Sequence, residues 1–229
     1  MRLAEWTLEE WAAPLILSLK ICITASVFVA LLGVWAAWWM TRRKRRGRLI
    51  IETVFMLPLV LPPTVIGFLL LVMLGRRGWA GIAYEWLFDQ PIIFTWIAGV
   101  VAAVVVAFPL VYQTMKTGFQ GVERHLEDAA RSAGAGEWQV FRYVTLPLAR
   151  RSFASSYILG FARSLGEFGA TLMIAGNIPG VTQTTPTAIY TAVESGHMPL
   201  AWSWTVAMIA LSFLMLIVTS RLNESLNNK

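Results

Sequence analysis

Charge is scarce in this sequence. Only 14% of its 229 residues are Asp, Glu, Lys or Arg, against about 25% in a soluble domain. Cysteine is scarcer still: Cys22 stands alone, which excludes an internal disulfide, a CxxC redox pair and a thiolate metal cluster. The two histidines, His125 and His197, are far apart and neither has a partner at ligand spacing, so no metal site is expected. No GxxxxGK[ST] phosphate loop, GxSxG elbow, HExxH helix or pair of catalytic acids occurs. The chain is therefore expected to be no enzyme and to hold no cofactor of its own. The opening MRLAEWTLEEW is acidic and lacks the basic start and small-residue cleavage site of a secretory signal.

What is abundant is apolar surface. Hydrophobic residues make up 57% of the chain and mean hydropathy is +0.61. Five apolar runs stand out, at about 15–40, 50–74, 91–113, 152–175 and 200–220. Each approaches or exceeds the ~20 residues a helix needs to cross hydrocarbon. They are apolar on every face rather than alternating, which excludes barrel strands. The reading is one all-α integral membrane domain over 1–229 with about five transmembrane helices.

Basic residues orient it. The loop TRRKRRGR, the loop 114–151 and the tail together hold fourteen Lys or Arg, against three in the start and the other two loops. The positive-inside rule then places the N-terminus outside and the C-terminus in the cytoplasm. The net charge of +6 sits at span ends, so it calls for a lipid bilayer and no nucleic acid. Trp35, Trp38, Trp39, Trp202 and Trp204 fit an interfacial belt. Lys20 snorkels to the interface.

Two spans carry breaks in the apolar pattern. LPLVLPP contains Pro58, Pro62 and Pro63; proline removes a backbone donor and clashes with the preceding turn, so the second span should be kinked or interrupted and should face other helices rather than lipid. The fourth span contains GFARSLGEFGAT. Arg163 and Glu167, four residues apart, share a helix face, and Gly160, Gly166 and Gly169 let another helix approach. A structural or hinge role is favoured for this group over direct contact with a transported ion, with the pathway role left open.

The loop between spans three and four has its own pattern. Ala129, Ala130 and Ala133 give a small apolar face, Gly134 and Gly136 bend the chain, and Trp138, Phe141 and Val144 resume a stripe at helical spacing. This is a helix–turn–helix suited to a protein groove. Outside, 75–90 should hold an interfacial helix preceded by Arg76 and Arg77. Thr185-Pro186 should begin another helix, closing at Ser195-Gly196. Thr182, Thr184, Thr185 and Thr187 offer hydroxyls beside the outer opening.

The loop resembles the EAA loop of bacterial ABC importer permeases: EAA, three residues, Gly, nine residues, then I-x-L-P. Here Asp128-Ala129-Ala130, Gly134 and Val144-Thr145-Leu146-Pro147 fall at that spacing, with Asp for Glu and Val for Ile, and Glu127 leaves the acid's register open by one. LPLVLPPTVIGFLLLVMLGRRG, FARSLGEFGATLMIAGNIPG and TQTTPTAIYT are similar to molybdate ABC transporter permeases. Sulfate permeases share the GEFGA…GNIP block. The resemblance implies an ABC type I importer permease fold in the inner membrane of a bacterium. It implies a second copy of the chain as dimer partner, two copies of an ATP-binding subunit that bind ATP, and a periplasmic or extracellular molybdate-binding protein. It also implies that Asp128, Ala129, Ala130, Gly134, Leu146 and Pro147, in the loop 121–147, couple the permease to the ATPase. Sulfate, thiosulfate and tungstate are the competing substrates. An ion channel or gradient-driven carrier, with Arg163 and Glu167 as a relay, would have no need of that loop, and a membrane scaffold without transport would have no need of the proline-broken span.

Overall fold

The computed structural model describes residues 7–42 and 47–227. Arg2, Lys229 and most of the basic run after the first span lie outside them. Among the described residues all regular structure is helical. The first helix, α1 (Leu8–Arg42), starts from a capping box: Thr7 Oγ1 accepts from the Glu10 amide at 3.2 Å and the Glu10 carboxylate accepts from the Thr7 amide at 2.9 Å. Its buried stripe packs on α5 (Trp96–Gln120), the central post of the fold. Val29, Ala36 and Ala37 of α1 meet Val111, Tyr112 and Met115 of α5 in one core cluster.

The second apolar run is two helices, α2 (Arg48–Val60) and α3 (Pro63–Leu74), bent by 114°. Leu61 and Pro62 are extended, with ψ of 142° and 138°, because a residue before proline is driven out of the helical region. Pro63 then opens α3 at its first position, where its missing N–H costs nothing. Pro58 does not interrupt: it rides inside α2. The two halves still pack along one helix, α5. At one end of α5, Glu52 takes Arg48 at 2.8 Å and Lys116 at 2.9 Å, and Phe55 stacks edge-on to Phe108 and Tyr112. Towards the other end, Ile66 and Leu70 of α3 share a cluster with Ala98 and Ala102. The expected packing of this span on other helices is met on one side only: Ile66, Gly67 and Leu70 of α3 are buried. No residue of α2 is buried, and Val60, Val65 and Phe68 are bare.

The fourth run repeats the design with a 60° bend between α9 (Arg150–Leu165) and α10 (Gly169–Ala175). Short helices fill the connections: α4 (Trp79–Phe88) after Arg76 and Arg77, as expected, and then α6 (Arg124–Ser132), α7 (Glu137–Val140) and α8 (Leu146–Leu148) in the long loop. At the far end from that loop lies α11 (Thr185–Glu194), before α12 (Met198–Asn227). Its cap is Thr184, one residue ahead of the expected Thr185. Among the described residues three helices alone are long and apolar enough to cross a membrane, and five spans result when each bent pair counts as one. Only 11% of the α12 span is buried, against 56% of α5, so α12 is peripheral. It is tied to α1 by Trp11 Nε1 donating to Ser203 Oγ and Trp204 Nε1 donating to the Trp11 carbonyl, both at 2.9 Å.

Candidate functional site

Two places gather the polar groups that an apolar protein needs a reason to keep. The first is the long loop. Helix α6 ends at Ala133, and Gly134 reverses the chain at φ +90°, a conformation that glycine alone adopts without strain. The chain returns through α7 and a π-helical turn, Phe141–Thr145. Between outgoing and returning arms runs a groove of about 350 Å³ lined by Ala130, Ala133, Gly134, Gln139, Tyr143 and Val144. Among the described residues, apart from its chain neighbours, no heavy atom lies within 4 Å of where a Gly134 side chain would begin. The small residues therefore leave the groove open rather than filling it. The expected aromatic stripe holds between Trp138 and Phe141, whose rings lie 5.5 Å apart, but it is unevenly buried. Phe141 is buried against Trp38 and Phe119, while Trp138 is 62% exposed. Leu146 packs on the same core, and Pro147 is exposed in α8.

The back of α6 is clasped to the end of α1. Glu127 accepts from Thr145 Oγ1 at 2.5 Å, from Arg42 at 3.2 Å and from Arg131 at 3.3 Å. Arg131 also holds Asp128 at 2.6 Å and Glu137 at 2.7 Å, and Arg42 reaches Glu137 as well. Glu127 is 16% exposed and Asp128 69%. The two neighbouring acids thus do different things: Glu127 binds inward, and Asp128 faces out beside Ala129.

The second place is where the helix breaks meet. A side chain at Gly169 would begin 3.0 Å from Pro63 Cβ, and one at Gly67 would begin 2.7 Å from Met173 Cβ and 2.9 Å from Ala170 Cα. The two breaks are therefore in contact beside α5. Arg163 and Glu167 do not share one helix, as their spacing suggested, because α9 ends at Leu165. Glu167 lies in the break, and its carboxylate accepts from the Ala170 amide at 2.8 Å, on the first turn of α10, and from Arg163 at 3.1 Å. The Glu167 side chain is 3% exposed and that of Arg163 30%. Gly166 has nothing within 4 Å of its missing side chain, so the close approach expected there belongs to Gly160 and Gly169.

The four threonines are not at an open mouth. Thr182, Thr184, Thr185 and Thr187 are 0–4% exposed. Thr185 and Ser18 of α1 bond twice, through the Thr185 amide at 2.8 Å and the hydroxyl at 3.1 Å, and Thr187 donates to the Thr184 carbonyl at 2.8 Å. These hydroxyls satisfy buried backbone and one another. Lys20, at the same end, lies 3.8 Å above the Trp96 ring, which holds its charge at the edge of the bundle.

A model of binding-protein-dependent transport system inner membrane components matches residues 30–228, nearly the whole chain. The chain belongs to that family. It is thus a membrane-spanning transport component and not an enzyme. Relatives of this permease include the YvgM protein of Bacillus subtilis (strain 168), 53% identical over 208 residues that cover 91% of this chain and 92% of that one. The molybdenum transport system permease protein ModB of Escherichia coli (strain K12) is 43% identical over 212 residues, 92% of each. The sulfate transport system permease protein CysT of the same strain is 33% identical over 202 residues, 87% of this chain and 72% of CysT. Among solved structures, a bacterial ABC transporter that imports alginate superposes with a TM-score of 0.72 at 14% identity, covering 97% of this chain and 85% of that one. At that identity the likeness carries the fold alone, and it supports the importer-permease fold.

In this permease the residue that sequence reasoning left undecided is Glu127. The loop pattern points to Asp128, but the inward face of α6 is Glu127, Ala130 and Arg131, spaced three and four apart. That spacing was visible and was the signal available. The partners, Arg42 and Thr145, are 85 and 18 residues away and gave none.

Proposed function

We propose that this chain is the permease subunit of an ATP-driven importer that carries molybdate across the cytoplasmic membrane of a bacterium by alternating access. The observation that carries the reading is the order of its relatives: ModB, named for molybdenum, is 43% identical over 92% of the chain, and CysT, named for sulfate, 33% over 87%. The chain pairs with a second copy of itself, and the outer face of α2 and α3, where Val60, Val65 and Phe68 are left bare, supports that reading. The N-terminus is outside and the loop 121–147 cytoplasmic. Two ATP-binding subunits dock there, each inserting a side chain of its own into the groove over Gly134, with Asp128 offered to a basic partner group. Leu146 and Pro147 brace the groove's return arm. ATP is bound and hydrolysed in those subunits. A soluble molybdate-binding protein docks at the α4 and α11 end.

The test is reconstitution of the chain with its ATPase and binding protein in vesicles. Molybdate-loaded binding protein should stimulate ATP hydrolysis and molybdate uptake more than sulfate-loaded protein stimulates either. Equal stimulation by the two anions removes the molybdate assignment, and tungstate serves as the second competitor.

A further inference from the structure

Arg163 is placed where a charge is hardest to keep. The contact of Gly118 with Ser152 marks the loop end of α9, and the bond from the Phe94 amide to the Ile174 carbonyl marks the far end of α10. The eleven residues from Ser152 to Arg163 run in α9, roughly 16 Å at 1.5 Å per residue, and the eleven from Arg163 to Ile174 cross the 60° break, so Arg163 lies midway along a bent span whose ends pack at opposite ends of α5, near the middle of a hydrocarbon core of about 30 Å. From mid-depth no side chain snorkels to water. Yet Arg163 is 30% exposed, and it opens on a face with Leu159, Ala162 and Gly166, all exposed. A guanidinium turned towards lipid at that depth is the least favourable arrangement available. The face must therefore meet water or a polar partner.

Its chemistry suits one ligand class. Glu167 engages Arg163 through Nη1. A guanidinium has five donors in a planar fork, so most of the fork is left for a second acceptor, and that geometry matches tetrahedral oxyanions. Glu167 is fixed by the Ala170 amide, so it holds the fork in place while cancelling part of its charge. A conduit needs that balance, because an anion must be attracted enough to enter and held weakly enough to leave. The space beside Gly166 gives the anion room.

We propose that Arg163 is a mid-membrane contact for the transported oxyanion and that Glu167 is its positioning residue. The proposal rests on the importer function above. It is tested in the full reconstituted complex. Ala162→Cys places a thiol on the same face, and the wild-type chain is the control because its only cysteine, Cys22, is buried. A cationic, membrane-impermeant thiosulfonate reagent should label Ala162→Cys in at least one nucleotide state, and molybdate should slow that labelling. Arg163→Gln should leave co-purification with the ATPase intact while molybdate uptake falls about tenfold to a hundredfold, the range of one charge-assisted hydrogen bond. Arg163→Lys should recover part of the uptake with an altered preference between divalent and monovalent oxyanions. No labelling with or without ATP overturns the proposal, as does wild-type uptake by Arg163→Gln. If Arg163→Gln fails to assemble, the labelling result decides. A wild-type complex that moves no molybdate refutes the importer function instead, and that result is read without any variant.

Discussion

Glu127→Gln separates the two acids of the coupling loop. The substitution keeps shape and one acceptor but removes a charge that faces Arg42, Arg131 and Thr145 at 3.2, 3.3 and 2.5 Å. A fully buried ion pair broken on one side costs ~3–5 kcal/mol, and an exposed pair is worth ~0–1 kcal/mol. Glu127 and Arg42 are 16% and 17% exposed, close to the buried limit, but Arg42 retains Glu137 and glutamine still accepts from Thr145. The expected loss is therefore about 1.5–3 kcal/mol. For a domain of this size that lowers the unfolding midpoint by roughly 4–10 °C. Asp128→Asn, at 69% exposure, should move it by less than about 4 °C, since surface pairs are worth ~0–1 kcal/mol. The assay is thermal unfolding of the purified permease followed by tryptophan fluorescence, with Thr145→Val added to each variant. Non-additivity should appear with Glu127→Gln and not with Asp128→Asn. Equal midpoint shifts for the two acids would refute the assignment of Glu127 as the clasp.

Two further outcomes follow from glycines at contacts. Gly134→Glu should fold and insert, at a cost of about 1–2 kcal/mol for its left-handed backbone, yet abolish ATPase stimulation by loaded binding protein, because the groove would be filled; normal stimulation would show that the ATPase docks elsewhere. Gly67→Val would drive a side chain into the Ala170 backbone and should cost at least ~2–3 kcal/mol, read as loss of the monodisperse peak in fluorescence-detected size exclusion, whereas Gly166→Ala, facing open space, should keep it.

Much of the fold could be read from the sequence for a simple reason. A bilayer forces every spanning segment to be apolar and helical, so the five runs and the Pro62–Pro63 interruption show directly. The second break was harder. It has no proline, and a Gly166-Glu167 pair inside a helix-compatible run looks like a charged face. The end of α9 at Leu165 and the bond from the Ala170 amide to the Glu167 carboxylate show that Glu167 lies in a break ahead of a new helix. The threonines misled for the opposite reason. A polar stretch between spans reads as solvated, but Thr182 and Thr185 are wholly buried, the Thr182 hydroxyl accepting from the Ile178 amide and that of Thr185 bonding to Ser18. At the loop, periodicity could have found the Glu127–Ala130–Arg131 face, whereas Arg42 and Thr145 come to it only through tertiary packing.

The contact between the two breaks has a mechanical consequence. Helix α5 is unbroken and stands as a mast, and Pro63 and Gly169 meet at one point along it. Each far half is then a lever pinned at the same height. The twelve residues of α3 make an arm of roughly 18 Å, so a tilt of about 10° at the pin carries its tip about 3 Å, a displacement of the kind by which helices reposition during switching. Small rearrangements at the pin would thus be magnified at the far mouth, while α2 and α9 stay seated against the mast.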